Sequence, residues 1–238
     1  MPEIKLGHRT IHYTVRESAR ARRSSLQVDP ERGLLVVLPM GVQGLIDLEA
    51  LLRERQTWIL KHLADREAAA RQYTTGETLL FLGEVLHLEV MPTQTARRTT
   101  VARQGGVLRV RLNRSVHAAE QSQVVRSAIE SWYRTQARQD LPPRAARWAS
   151  QIDVSFQKVT IKSQRTRWGS CSSLGNLNFN WRLIQAPPGA VDYVVIHELC
   201  HLIELNHSPR FWSLVATHCP DYKTWMRWLQ EHHYQLFL

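Results

Sequence analysis

The residues best placed to do chemistry form the run His197-Glu198-Leu199-Cys200-His201. On a helix of about 3.6 residues per turn, a spacing of four returns a side chain to nearly the same face. His197 and His201 can therefore aim two imidazoles at one ion. Zinc suits such ligands, and a catalytic zinc typically takes three protein ligands and keeps its fourth position for water. Glu198 stands about 100° around the helix from His197, so it can face the water without binding the metal. Zinc lowers the pKa of bound water to about 7. A carboxylate beside it can take the water's proton during attack on a carbonyl and deliver it to the leaving amine. These residues predict a zinc-activated water with Glu198 as its base. A short match of this kind also arises by chance, so the rest of the chain has to supply the third ligand.

Four residues are candidates for it: His207, Glu204, His218 and Glu231. Glu204 is within helical reach of His201, whereas His218 and Glu231 must come from later helices. His207 is favoured. A chain that leaves the helix near Leu205 and turns through Asn206 can carry His207 back over the metal, and Asn tolerates the left-handed backbone such a turn needs. Metzincin-type motifs space their third histidine in the same way, although they carry glycine where this chain has Glu204. Cys200 reads as a small buried helix residue and not as a ligand.

The elements that must position these residues can be read from periodicity. Ile11–Val15, Ser25–Val28, Leu34–Leu38, Leu79–Val90, Val107–Leu112, Val159–Ser163 and Asn176–Asn180 read as strands. Helices are expected over Asp47–Arg71, Ala118–Gln139, from Pro187-Pro188 to about Leu205, from Ser208-Pro209, and over Asp221–Tyr234. Pro142-Pro143 is expected to interrupt the second helix, with a short helix carrying on to Ser150. Trp58, Trp181 and Trp212 read as packing residues, and His232-His233 as a helix C-terminal feature. No internal repeat is evident. The fold class is α+β: a strand-rich N-terminal region with a long helix over residues 1–115, then a helical catalytic region over 116–238. The boundary near Ser115 is soft.

The chain has 238 residues, enough for a real core, with 43% hydrophobic and 22% charged residues and a formal net charge of +10. No apolar run reaches the roughly 18 residues that span a membrane. The first residues lack a secretory h-region. Three widely spaced cysteines, Cys171, Cys200 and Cys219, make no disulfide framework and fit a reducing cytoplasm. Arg97, Arg98, Arg103, Arg109, Arg111 and Arg114 succeed one another with no acidic residue between them. Such a stretch suggests a nucleic-acid partner, with an ordinary solvated face as the alternative.

Several segments together resemble the YgjP-like metallopeptidases, relatives of the SprT and WLM zincins. They are Thr166-Arg167-Trp168-Gly169-Ser170-Cys171-Ser172, Asn176-Leu177-Asn178-Phe179-Asn180-Trp181-Arg182-Leu183, Ala186-Pro187-Pro188, Asp192 to Leu202, and Asn206-His207-Ser208-Pro209-Arg210-Phe211-Trp212. A weaker likeness runs back to about Arg23. The resemblance implies a zincin-like catalytic region, with an active-site helix beside a small sheet and one zinc per chain on His197, His201 and His207. It also implies peptide or protein substrates lying along an edge strand, for which Asn176–Asn180, with Asn178, is the candidate. Arg165, Arg167 and Trp168 in the preceding loop are candidate substrate-binding residues, suited to stabilising an oxyanion. The expected function is a zinc metallopeptidase. The alternatives are a metal-dependent nucleoside triphosphate pyrophosphatase, which would use the arginines on phosphates but lacks a P-loop, and a zinc-containing nucleic-acid-binding protein, which would have no need of Glu198.

Overall fold

The structure is a computed structural model that describes residues 2–29, 33–42, 44–70, 72–94, 97–164 and 167–236. It is α+β. Its contacts divide the chain into two compact units, Met1–Arg71 with His233–Phe237, and Gln72–His232 with Leu238. Ser115 lies within the second.

The first unit opens with four strands, β1 (Glu3–Leu6), β2 (Arg9–Ser18), β3 (Ser25–Asp29) and β4 (Gly33–Pro39), in the order β1-β2-β4-β3. β1 and β2 form an antiparallel hairpin, β2 runs parallel to β4, and β3 runs antiparallel to β4. The single helix expected over Asp47–Arg71 is two, α1 (Leu48–Glu54) and α2 (Gln56–Ala70). Asp47 caps the first by accepting the Ala50 N–H at 2.9 Å. The break falls at Arg55, whose φ of −95° and ψ of 12° leave the helical region. Leu6, Ile11, Leu34, Val36, Leu52 and Ile59 form the centre of this unit's core.

The second unit begins with the same pattern. β5 (Thr78–Phe81), β6 (Glu84–Pro92), β7 (Thr100–Gln104) and β8 (Val107–Leu112) pair in the order β5-β6-β8-β7, with the same directions. The registers correspond as well. Leu6 opposite Arg9 matches Phe81 opposite Glu84, Tyr13 opposite Leu34 matches Leu88 opposite Leu108, and Leu26 opposite Val36 matches Val101 opposite Val110. In each unit a later helix, α2 in the first, packs on the last two strands of its sheet. The chain therefore contains a structural repeat where none was expected. It escapes the letters because matching positions keep burial and not residue type: Leu6 answers to Phe81 and Tyr13 to Leu88, and all four are buried. The strand expected over Leu79–Val90 is the β5–β6 hairpin, turned at Leu82 and Gly83 with φ of 49° and 79°. On β8, Arg109 donates to Glu89 of β6 at 2.7 Å.

After β8 comes α3 (Gln121–Ile152), a continuous helix of 32 residues and the one that packs on β7 and β8. Pro142 and Pro143 lie inside it and do not interrupt it, contrary to expectation. A proline there forfeits a backbone hydrogen bond and crowds the preceding turn. Val125, Ile129, Tyr133, Ala137, Leu141, Ala145 and Ala149 are buried on both sides of the prolines, so packing carries the helix through. Asp140 and Arg144 also pair across them at 2.7 Å.

A second sheet of the same unit holds β9 (Lys158–Lys162), β10 (Gly169–Cys171) and β11 (Asn176–Asn180) in the order β10-β11-β9. β11 is thus the central strand, bonded to β10 on one side and β9 on the other. This corrects the expectation that Asn176–Asn180 is an edge strand; β10 and β9 are the edges. A 3-10 turn (Trp181–Gln185), with Trp181 fully buried, leads into α4 (Pro188–Cys200), α5 (Pro209–His218) and α6 (Tyr222–His232). α4 ends at Cys200, short of the expected Leu205. Asp192 fastens α4 to α3 by accepting from Arg144, Arg147 and Trp148 at 2.9, 3.1 and 2.7 Å. α6 packs closely on α4 because Gly189 has no side chain: a Cβ there would stand 2.3 Å from the Trp225 ring. The three cysteines are free. Among the described residues no helix is long and apolar enough to cross a membrane.

Candidate metal centre

His197 lies in the last turn of α4, His201 caps it, and His207 stands in the loop just before α5. Ring nitrogens of the three lie within 4.8 Å of one another. Glu204 and His218 belong to no such group among the described residues, and Glu231 does not join these histidines. The turn that returns His207 is built by the chain after α4, where Leu202, Ile203 and Glu204 bond back to Leu199 and Cys200. It ends at Ser208, whose hydroxyl caps α5 by accepting the Phe211 N–H at 3.2 Å.

The donor set fits a metal ion. Nε2 of His197 and Nε2 of His207 are 3.1 Å apart, a distance at which two lone pairs repel unless a proton or a cation lies between them. Burial, then the neighbouring His201 and His207, pushes the pKa of His197 down to about 3, so its imidazole is neutral, as a ligand must be. Burial likewise lowers that of His201, whose Nδ1 sits 3.1 Å from the Glu204 carbonyl. That bond occupies Nδ1 and leaves Nε2 for a metal. Three convergent imidazoles suit zinc among the common biological cations.

Glu198 is only 6% exposed. It is held beneath the edge strand β10, and the strand can lie so close because residue 169 is glycine. A Cβ on Gly169 would stand 2.6 Å from Oε1 and 2.7 Å from Cγ of Glu198. The Cys171 N–H donates to the carboxylate. Burial pushes the Glu198 pKa up to about 8, against the pull of the Arg167 guanidinium and of that N–H. Burial and then Glu198 raise the Cys171 thiol in turn. Bonds from Asn180 to Trp168 and from Ser172 to Asn176 show that even-numbered residues of this segment face β11. By antiparallel alternation the backbone groups of Gly169 and Cys171 face the other way, toward Glu198.

The other expected site residues are more scattered. Arg167 is exposed and acts electrostatically on Glu198. Trp168 is half-buried next to Gly169, and its carbonyl accepts from the Asn180 N–H at 2.8 Å. Asn178 on the central strand donates to Ser170 Oγ at 3.3 Å. Arg165 lies outside the described residues. Cys200 is buried, as expected. Gly169, Tyr193, Trp212 and Tyr222 went unnoticed as parts of this site. Trp212 is half-buried and faces His207, with ring centroids 5.7 Å apart. Its place five residues after a candidate ligand, in the first turn of a capped helix, was the available signal.

A family model described as YgjP-like, metallopeptidase domain, matches residues 22–232, the greater part of the chain. No curated protein and no solved structure matches it.

Proposed function

The chain belongs to the YgjP-like metallopeptidases, and from that premise we propose that it is a zinc-dependent peptidase in which His197, His201 and His207 hold the ion and Glu198 handles the proton. The observation that carries this reading is the convergence of three imidazoles beside a buried glutamate side chain. A zinc ion there would supply Lewis acidity and an acidified water.

Glu198 is the proton carrier. As water oxygen bonds to the scissile carbonyl carbon, the carboxylate takes the water's proton. As the C–N bond breaks, it passes that proton to the amine nitrogen. A carboxylate placed beside the water can accept the proton in the first step and return it in the second. Gly169 and Cys171 keep the carboxylate aimed, the first by leaving room and the second through its N–H. Arg167, close enough to influence Glu198, is the candidate to face the developing oxyanion. β10, as the edge strand beside Glu198, replaces β11 as the strand along which an extended peptide would lie. Zinc and the individual roles rest on chemistry and geometry, and the test is direct. Glu198→Gln should keep about one zinc per chain yet lose roughly 10²- to 10⁴-fold in cleavage of an unstructured protein, the range typical of general acid–base catalysis. Chelation should abolish native cleavage and added Zn²⁺ restore it. Pyrophosphate release from nucleoside triphosphates, with no peptide cleavage, would favour the phosphohydrolase reading.

A further inference from the structure

The three histidines are not held equally well. His197 is part of a packed helix. His201 has its Nδ1 fixed on the Glu204 carbonyl at 3.1 Å, and its ring lies on buried Phe211 with centroids 4.5 Å apart and planes 24° apart. His207 is exposed and comes from a loop, and among the described residues its only hydrogen-bond contact is the one to His197. A loop imidazole without an anchor on its second nitrogen loses rotamer freedom when it binds a metal, which weakens binding.

What does hold it is aromatic packing: Phe211 meets its ring edge-on with centroids 4.9 Å apart, and Trp212 covers its face. Ser208 caps α5, and the Trp212 N–H bonds to the Ser208 carbonyl at 3.1 Å, so Trp212 sits in the first helical turn. Helical side chains lean toward the helix N-terminus, which carries the indole back over the segment before the cap. There it stacks on His207, with planes 29° apart. Trp212 is itself stacked on Tyr222 of α6, with centroids 5.3 Å apart and planes 17° apart. Tyr222 stacks on Tyr193 of α4 at 6.4 Å, and Tyr193 meets the His197 ring edge-on at 5.8 Å. The rings run from the loop ligand to the helix ligand through three helices.

We infer that Trp212 is a positioning residue for His207, and that Tyr222 braces Trp212, so that α6 tunes metal affinity without contributing a ligand. This rests on the reading of the three histidines as a metal centre. Trp212 touches no metal; it narrows the orientations of His207 before the metal arrives.

The test is a Zn²⁺ titration of chelator-stripped full-length protein against a chromophoric competitor, with Co²⁺ absorption as a second reading of ligand number. Trp212→Ala should weaken Zn²⁺ binding about 10- to 100-fold, the range typical for partners that orient a ligand, and should lower the Co²⁺ band intensity. Trp212→Phe, which keeps an aromatic face, should stay within a few-fold of native. Tyr222→Leu should give a smaller loss than Trp212→Ala. In a His207→Ala background, Trp212→Ala should cost far less than in the native one, because the residue it positions is gone and only its edge-on contact with His197 remains. Far-UV circular dichroism of the metal-free forms checks folding, and Trp212→Leu takes the place of Trp212→Ala if the latter unfolds. Unchanged affinity in Trp212→Ala, or the same loss with and without His207, would overturn the inference while leaving the metal centre standing. Native protein that takes up no Zn²⁺ would overturn both.

Discussion

The sheet β1–β4 and the sheet β5–β8 are built to one plan, with the same order, directions and register. They differ on one face. Between the inward residues of β4, Leu34, Val36 and Leu38, stand Leu35 and Val37, which are also buried. The matching positions on β8 are Arg109 and Arg111, half-buried and exposed. The helices joined to them differ too: two short ones come after the first sheet, and a 32-residue helix that leads to the histidines comes after the second. The shared plan thus carries no chemistry of its own. The site depends on what the second copy is attached to, as sites grafted on common folds do.

Three changes would break or sharpen that contrast. The largest effect is expected at matched core positions. Leu34 and Leu108 are both fully buried, so Leu34→Ala and Leu108→Ala should each cost about 2–5 kcal/mol, the usual range for this truncation. Urea unfolding of the metal-free protein measures it, and a negligible cost at either position would end the claim that the two sheets are equivalent. Next comes a change confined to the second unit. Gly169→Ala places a methyl against the Glu198 carboxylate, and a misplacement on the order of 1 Å can cost about 100-fold in rate. Peptidase activity should fall accordingly while zinc content holds; native activity in this variant would free Glu198 from its dependence on β10. The smallest effect concerns the arginine face. Arg109 is paired with Glu89, and Arg103 with Glu84, so two of the six arginines are compensated by β6. Any DNA or RNA binding should be weak, and Arg109→Ala/Arg111→Ala should lower its log–log salt slope by about 1 at most, the share of a single phosphate contact. A drop of 2 or more would restore the whole stretch as a polyanion surface.

Much of the histidine-bearing region was legible because its signals are local. Spacing in His197-Glu198-Leu199-Cys200-His201, the cap Ser208, and the prolines opening α4 and α5 all act within a turn or two. What was not legible depends on partners distant in sequence. Strand order decided that β10 and β9, and not β11, are the edges, and no property of Asn176–Asn180 alone reports its neighbours. Pro142 and Pro143 obey a local rule that packing on α3 overrides. Gly169 matters because Glu198, far along the chain, lies against it. The repeat is written in burial, to which Leu, Phe, Tyr and Val contribute interchangeably.

The Glu89–Arg109 pair has a consequence for folding. Two hairpins with one register could each fit either ladder, and chains that repeat a pattern are prone to mispair in this way. In the native arrangement Glu89 lies opposite Arg109, and Thr14 opposite Leu35. Exchanging the hairpins would set Glu89 against Leu35, at a buried position with no cation across from it, and would leave Arg109 facing a hydroxyl. A carboxylate forced into that setting without its partner is strongly disfavoured. One ion pair of modest native value would therefore count against the exchanged assembly more strongly than it holds the native one.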